Sequence, residues 1–207
     1  MRAKAFNTTR TSTFALLALL WSGDGFVFAG ITGSKHDFSS RGWGTTEVCV
    51  FCHTPHNARV PQLAPLWNHL STTATYILYS SPTMDQSPVQ PRDGSRVCLS
   101  CHDGTIAIDS YGVRAGSQFM TGSANFGTDL SNDHPVSVYW NHQTTEGKVS
   151  CSNCHVFHGT LAYNLPFFNH YLECATCHEP HDRFPAHTKM LRKPLAGSAL
   201  CLHCHGK

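Results

Sequence analysis

A mostly irregular fold, with short helical turns, little sheet and an interior that side chains alone do not fill, is predicted by three observations on this 207-residue sequence. The pentapeptide Cys-x-x-Cys-His occurs five times, ending at His53, His102, His155, His178 and His205. All ten cysteines belong to it, as the pairs Cys49/Cys52, Cys98/Cys101, Cys151/Cys154, Cys174/Cys177 and Cys201/Cys204. Ten further histidines accompany the five that end these motifs, in a chain with 16 Gly and 11 Pro. Cys-x-x-Cys-His is the attachment signature of c-type haem: the thiols bond the porphyrin and the His is the proximal iron ligand. Five covalently bound haems c in so short a chain must form the core themselves, so the fold class is a multihaem cytochrome c.

The other readings of paired cysteines are a disulfide framework, a zinc site and a thioredoxin-like pair. None of them requires a His after every pair. At this composition chance supplies about 0.04 such pentapeptides, against five present.

Residues 1–29 read as a cleaved signal peptide. Arg2, Lys4 and Arg10 precede the short apolar run Phe14–Trp21, and Val27-Phe28-Ala29 is a small-x-small site. The run is too short to span a bilayer, which needs about 20 apolar residues, and no later segment serves as a transmembrane segment. Export to the cell surface or the extracellular space, or alternatively to the periplasm, suits covalent haem attachment. Residues 30–207 are then one pentahaem domain, with an extended arm over 30–46. A chain of this length has a radius of gyration of about 16 Å, so five haems inside it are nearly in contact. Without 1–29 the formal charge of +2 falls to zero, with 12 residues of each sign. Haem propionates make the loaded protein acidic, which argues against nucleic acid as a partner.

The segments between motifs follow from composition. In CVFCHTPHNA, Pro55 disfavours helix at Thr54. Thr72–Leu78 is a weak strand candidate or an ordered loop, and Ser87–Asp93 is a polar linker containing proline. CLSCHDG forms a short helical turn ending at Gly104. Gly112–Asp129, rich in Gly and Ser, is a loop packed on a haem. His134-Pro135 opens an extended segment through Trp140, and LRKPLAGSAL contributes one helical turn that delivers Cys201. No helix exceeds about ten residues. The first cysteines of successive motifs are 49, 53, 23 and 27 residues apart, so the haem sites crowd toward the C-terminal part.

Ten histidines remain for five distal positions, and only Met84, Met120 and Met190 could replace them after export. Ligation by two histidines throughout is the economical reading. It leaves no vacant iron site and favours electron transfer over catalysis, with no catalytic residues. His56, His158 and His181 each follow a proximal His by three residues and are placed to reach a neighbouring iron. His134 and His36 are the next candidates, with His69, His142, His170 and His187 as substitutes.

CVFCHTPHNA, PLWNHLSTTATYILYSSPT, CLSCHDGTIA, NDHPVSV, CATCHEPH and AGSALCLHCHGK resemble the multihaem cytochromes of metal-reducing bacteria. More narrowly, they are similar to the OmcE type, with OmcS as a larger relative, whose subunits polymerise into extracellular nanowires. The resemblance covers most of 31–207. It implies distal ligation by His36, His56, His134 and His181, little secondary structure, and a continuous haem wire. It also implies that His36 of the arm ligates a haem of the next copy, in a head-to-tail filament. CSNCH departs from the four-haem pattern, and His158 is then the histidine associated with the added haem. The expected function is electron conduction in an extracellular filament, handing electrons to redox partner proteins or extracellular acceptors. The alternatives are a monomeric periplasmic shuttle and a reductase with one five-coordinate haem.

Overall fold

The computed structural model describes residues 30–59, 64–84, 86–139 and 165–205. The predicted leader and the CSNCH motif, with Cys151, Cys154, His155 and His158, lie outside those residues.

Most of the described chain is loop and turn, as the composition implies. Helix α1, Asp93–His102, is the longest regular element among the described residues. Asp93 in its first turn complements the positive end of the helix dipole. It stops at Asp103-Gly104, where Gly104 takes φ +72°, a left-handed conformation open to a residue without Cβ. Strands β1, Val138–Tyr139, and β2, Tyr171–Leu172, pair antiparallel with Val138 opposite Leu172. Helix α2, Cys174–Cys177, is a single turn capped by Glu173, while Thr176 Oγ1 accepts the Glu173 N–H at 2.9 Å.

Glu173 joins these pieces. Its buried carboxylate accepts hydrogen bonds from the hydroxyls of Ser95 on α1 and Ser137 before β1, the latter at 3.0 Å. Burial raises its pKa above the ordinary carboxylate value, against the pull of those hydroxyls. The pair α1 and α2 thereby brings two Cys-x-x-Cys-His motifs side by side.

Side-chain packing is small in scale. One buried cluster consists of Tyr76, Leu99 and Leu130, with Ala74 and Leu78 against it. A second, aromatic group pins the arm: Phe38 packs on Trp43 at 5.3 Å and on Phe51 at 5.5 Å, and Phe51 meets Tyr111 at 4.9 Å. The Tyr111 hydroxyl donates to the Trp43 carbonyl at 2.7 Å.

Thr72–Leu78 is a loop carrying one isolated bridge, Ile77 to Asp129, rather than a strand. Among the described residues of the extended segment after His134, Val138 and Tyr139 find a partner strand as β1, and Trp140 lies outside the described residues. The turn before Cys201 is present as the 3-10 turn Ala196–Ser198, with Cys201–His203 following as another. Among the described residues no helix is long and apolar enough to cross a membrane.

Candidate haem-binding sites

Each described attachment motif closes one helical turn. The amide of His53 donates to the Cys49 carbonyl at 2.8 Å, His178 to Cys174 at 3.0 Å and His205 to Cys201 at 2.8 Å. In the last motif the Cys204 amide donates to the same Cys201 carbonyl at 3.1 Å, so both cysteines sit on one turn, Cys201 exposed and Cys204 half-buried. CLSCH lies within α1. Cysteines three apart on a helical turn share a face with the His one residue on, which is the geometry needed to hold one flat group by two thiols and an imidazole.

The proximal rings are then oriented by a repeated device that the sequence did not announce. His53 Nδ1 donates to the Pro65 carbonyl at 2.8 Å, His102 Nδ1 to Ala124 at 2.7 Å and His178 Nδ1 to Lys189 at 2.9 Å. In two sites the detail matches further. The amide after the His bonds the carbonyl of a residue at positive φ, Thr54 to Leu66 (φ 56°) and Glu179 to Met190 (φ 55°). The residue after that one bridges back to the His, Trp67 to His53 and Leu191 to His178. A proton held on Nδ1 leaves the Nε2 lone pair for a metal.

Three of the predicted distal histidines face proximal ones. The ring centroids of His36 and His102 are 6.2 Å apart, those of His181 and His53 are 6.1 Å, and those of His134 and His205 are 6.3 Å. An iron between two imidazoles, with bonds of about 2 Å and ring centres about 1.1 Å behind the bonded nitrogens, separates centroids by about 6.2 Å. The three spacings therefore fit a haem iron. The facing rings are also held by Nδ1: His36 on the Pro180 carbonyl at 3.3 Å, His134 on Pro135 at 3.1 Å, and His181 on the Glu179 carboxylate at 3.1 Å. Burial pushes the His36 imidazole below its ordinary pKa, which keeps it neutral and able to ligate.

The His36 ring thus lies beside His102 of the same chain. His56 is exposed and, among the described residues, faces none of the proximal rings. The His178 ring likewise meets no histidine ring across an iron-sized gap among those residues. His69 is fully buried, with Nδ1 against the Leu70 carbonyl at 2.8 Å and Nε2 against Ala107 at 3.0 Å, so both nitrogens are engaged. His187 holds the Leu191 carbonyl at 2.9 Å and stacks on Phe184.

Cys98 and Cys174 share a hydrogen bond, which together with burial raises the Cys98 thiol. Burial also raises Cys52, to about 11, and Cys101, with Cys52 adding its charge to the effect on Cys101. Cys177 is raised by burial and then by Cys174 and Cys201. The motifs of α1 and α2 thus meet at Cys98 and Cys174. Cys49, Cys52, Cys98, Cys101, Cys174, Cys177 and Cys201 are outside any disulfide. Among the described residues no three His, Cys, Asp or Glu side chains converge as a bare metal ion would need.

The surroundings agree. An open cleft of about 200 Å³ lies against Cys174, Cys177 and His178, walled by Leu78, Leu99, Phe126, Leu130, Val136 and Leu172. Buried Trp67 Nε1 and Arg96 Nε have no hydrogen-bond partner among the described residues. Each is a donor beside an attachment motif, and buried donors of this kind call for an acceptor such as a propionate.

No protein-family model matches this chain, and no curated protein matches it.

Proposed function

We propose that this chain is a pentahaem c-type cytochrome that passes electrons along a row of closely spaced haems, each ligated by two histidines. Haem supplies reversible one-electron iron chemistry when bound. The chain's own residues attach it, orient its ligands and exclude water from it. The observation that carries this reading is the set of three ring pairs, His36–His102, His53–His181 and His134–His205, at 6.1–6.3 Å. In each pair, the His of an attachment motif meets one from a distant or separate part of the chain. Five-coordinate iron for a reductase is disfavoured by these filled pairs. For His178 and for His155 the second ligands come from His56, His158 and His142, the last two outside the described residues.

By its resemblance to nanowire cytochromes, the protein works as copies joined head to tail in an extracellular filament, delivering electrons to redox partners or extracellular acceptors. A monomeric periplasmic shuttle is the second reading, and His36 favours it by serving a site within its own chain.

Expression with a cytochrome c maturation system tests the shared core of both readings. Five haems per chain, all low-spin, are expected. Fewer haems, or a high-spin ferric signal equal to one haem in five, would sink the all-bis-histidine reading. Light scattering and electron microscopy of the loaded protein separate filament from monomer.

A further inference from the structure

One axial histidine is held differently from the others. His53, His102 and His178 donate Nδ1–H to the carbonyls of Pro65, Ala124 and Lys189, and His36 and His134 to those of Pro180 and Pro135. His181 instead donates to a carboxylate, Glu179 Oε1, at 3.1 Å. Glu179 is 4 % exposed, and its other oxygen accepts the Arg183 amide at 2.8 Å, so the group is fixed in place. Its own amide is tied to the Met190 carbonyl at 2.8 Å.

Building on the electron-transfer reading above, we infer that Glu179 is a positioning residue that lowers the reduction potential of the haem at Cys49–His53, through His181. A carboxylate draws the Nδ1 proton more strongly than a neutral carbonyl does, and so makes Nε2 a better donor. A better donor stabilises ferric iron more than ferrous iron. Reduction adds one electron to the iron, supplied by an external reductant or by the adjacent haem. No bond forms or breaks, and the proton stays between His181 and Glu179. The ring planes of His53 and His181 are within 16° of parallel, unlike the 54° and 75° of the other two pairs, so this site is also spectroscopically distinct.

Glu179→Gln keeps the shape and removes the charge; its one amide oxygen still accepts from His181, while an NH2 replaces the oxygen that met the Arg183 amide. In a dithionite titration of the five-haem protein, one haem of five should become easier to reduce, by about tenfold in equilibrium constant, or 59 mV for one electron. Five attached haems with an unchanged titration curve would overturn the inference. Should the variant lose haem, the wild type decides the matter through its histidine nitrogens. In reduced protein labelled with 15N-histidine, His181 Nδ1 should stand apart from the other axial Nδ1 signals, toward imidazolate. Coincidence with them would also overturn it. A wild-type protein that takes up no haem would sink the electron-transfer reading itself, a result distinct from loaded haems that ignore the substitution.

Discussion

The rings of His36 and His102 lie 6.2 Å apart, centre to centre, although 66 positions separate the two residues. The arm that carries His36 is held by Phe38 and Trp43 against Phe51, and the Pro180 carbonyl orients the imidazole. The arm therefore sets His36 beside His102 of the same chain, using a carbonyl supplied by the loop after the CATCH motif.

His36→Ala should retain five attached haems and open one iron. The reduced variant is expected to bind carbon monoxide at one haem per chain, and the oxidised variant to gain one high-spin signal. Particle size should not change, since the ligand is internal. Loss of filaments formed by the wild type, with one iron already open in the wild-type monomer, would restore the role between copies.

The three ring pairs differ in mutual orientation, at 16°, 54° and 75°. Parallel imidazoles split the iron d orbitals that perpendicular ones leave nearly degenerate. Electron paramagnetic resonance of the oxidised protein should therefore resolve both a rhombic and a highly anisotropic low-spin species. A single low-spin species for all haems would contradict these orientations.

Asp109 is buried and accepts the amides of Ser117 and Gln118, both at 2.8 Å, with Arg114 at 3.5 Å. Burial raises its pKa, but those bonds outweigh it and hold the group below the ordinary carboxylate value. A depressed carboxylate contributes stability that is complete above its unfolded pKa and is lost as pH falls through the folded one. Asp109→Ala should cost about 1–3 kcal/mol at neutral pH, through amides left unpaired. The gap between variant and wild type should narrow below about pH 4, as chemical denaturation at the two pH values would reveal.

Gly116 has no room for a side chain. A Cβ there would meet the Asp109 carboxylate and come within 2.7 Å of its backbone carbon. Gly116→Ala should destabilise the protein by about 1–3 kcal/mol through overpacking. The measurement is the thermal midpoint of the loaded protein, with haem content unchanged.

How much was legible depends on whether a feature is local. The attachment turns, the break at Gly104 and the scarcity of sheet follow from contiguous residues such as CLSCHDG, whose preferences act over a few positions. His36, His134 and His181 were legible as candidates because histidines outside the motifs are few. Their partners were not, since pairing His181 with His53 depends on a chain return over more than a hundred residues. Glu179 left a faint signal, a carboxylate two positions before His181, but no local rule says which way it points.

By itself, then, the sequence determined the number of attachment motifs, the donor chemistry and the loop-rich character, because each is written in adjacent residues. The tertiary structure alone decided which histidines face each other and which carbonyls, at Pro65, Ala124, Lys189 and Pro180, lock their tautomers. Backbone carbonyls are the same atom in every residue, so composition is blind to them until the chain folds back and brings one within 3 Å of an imidazole.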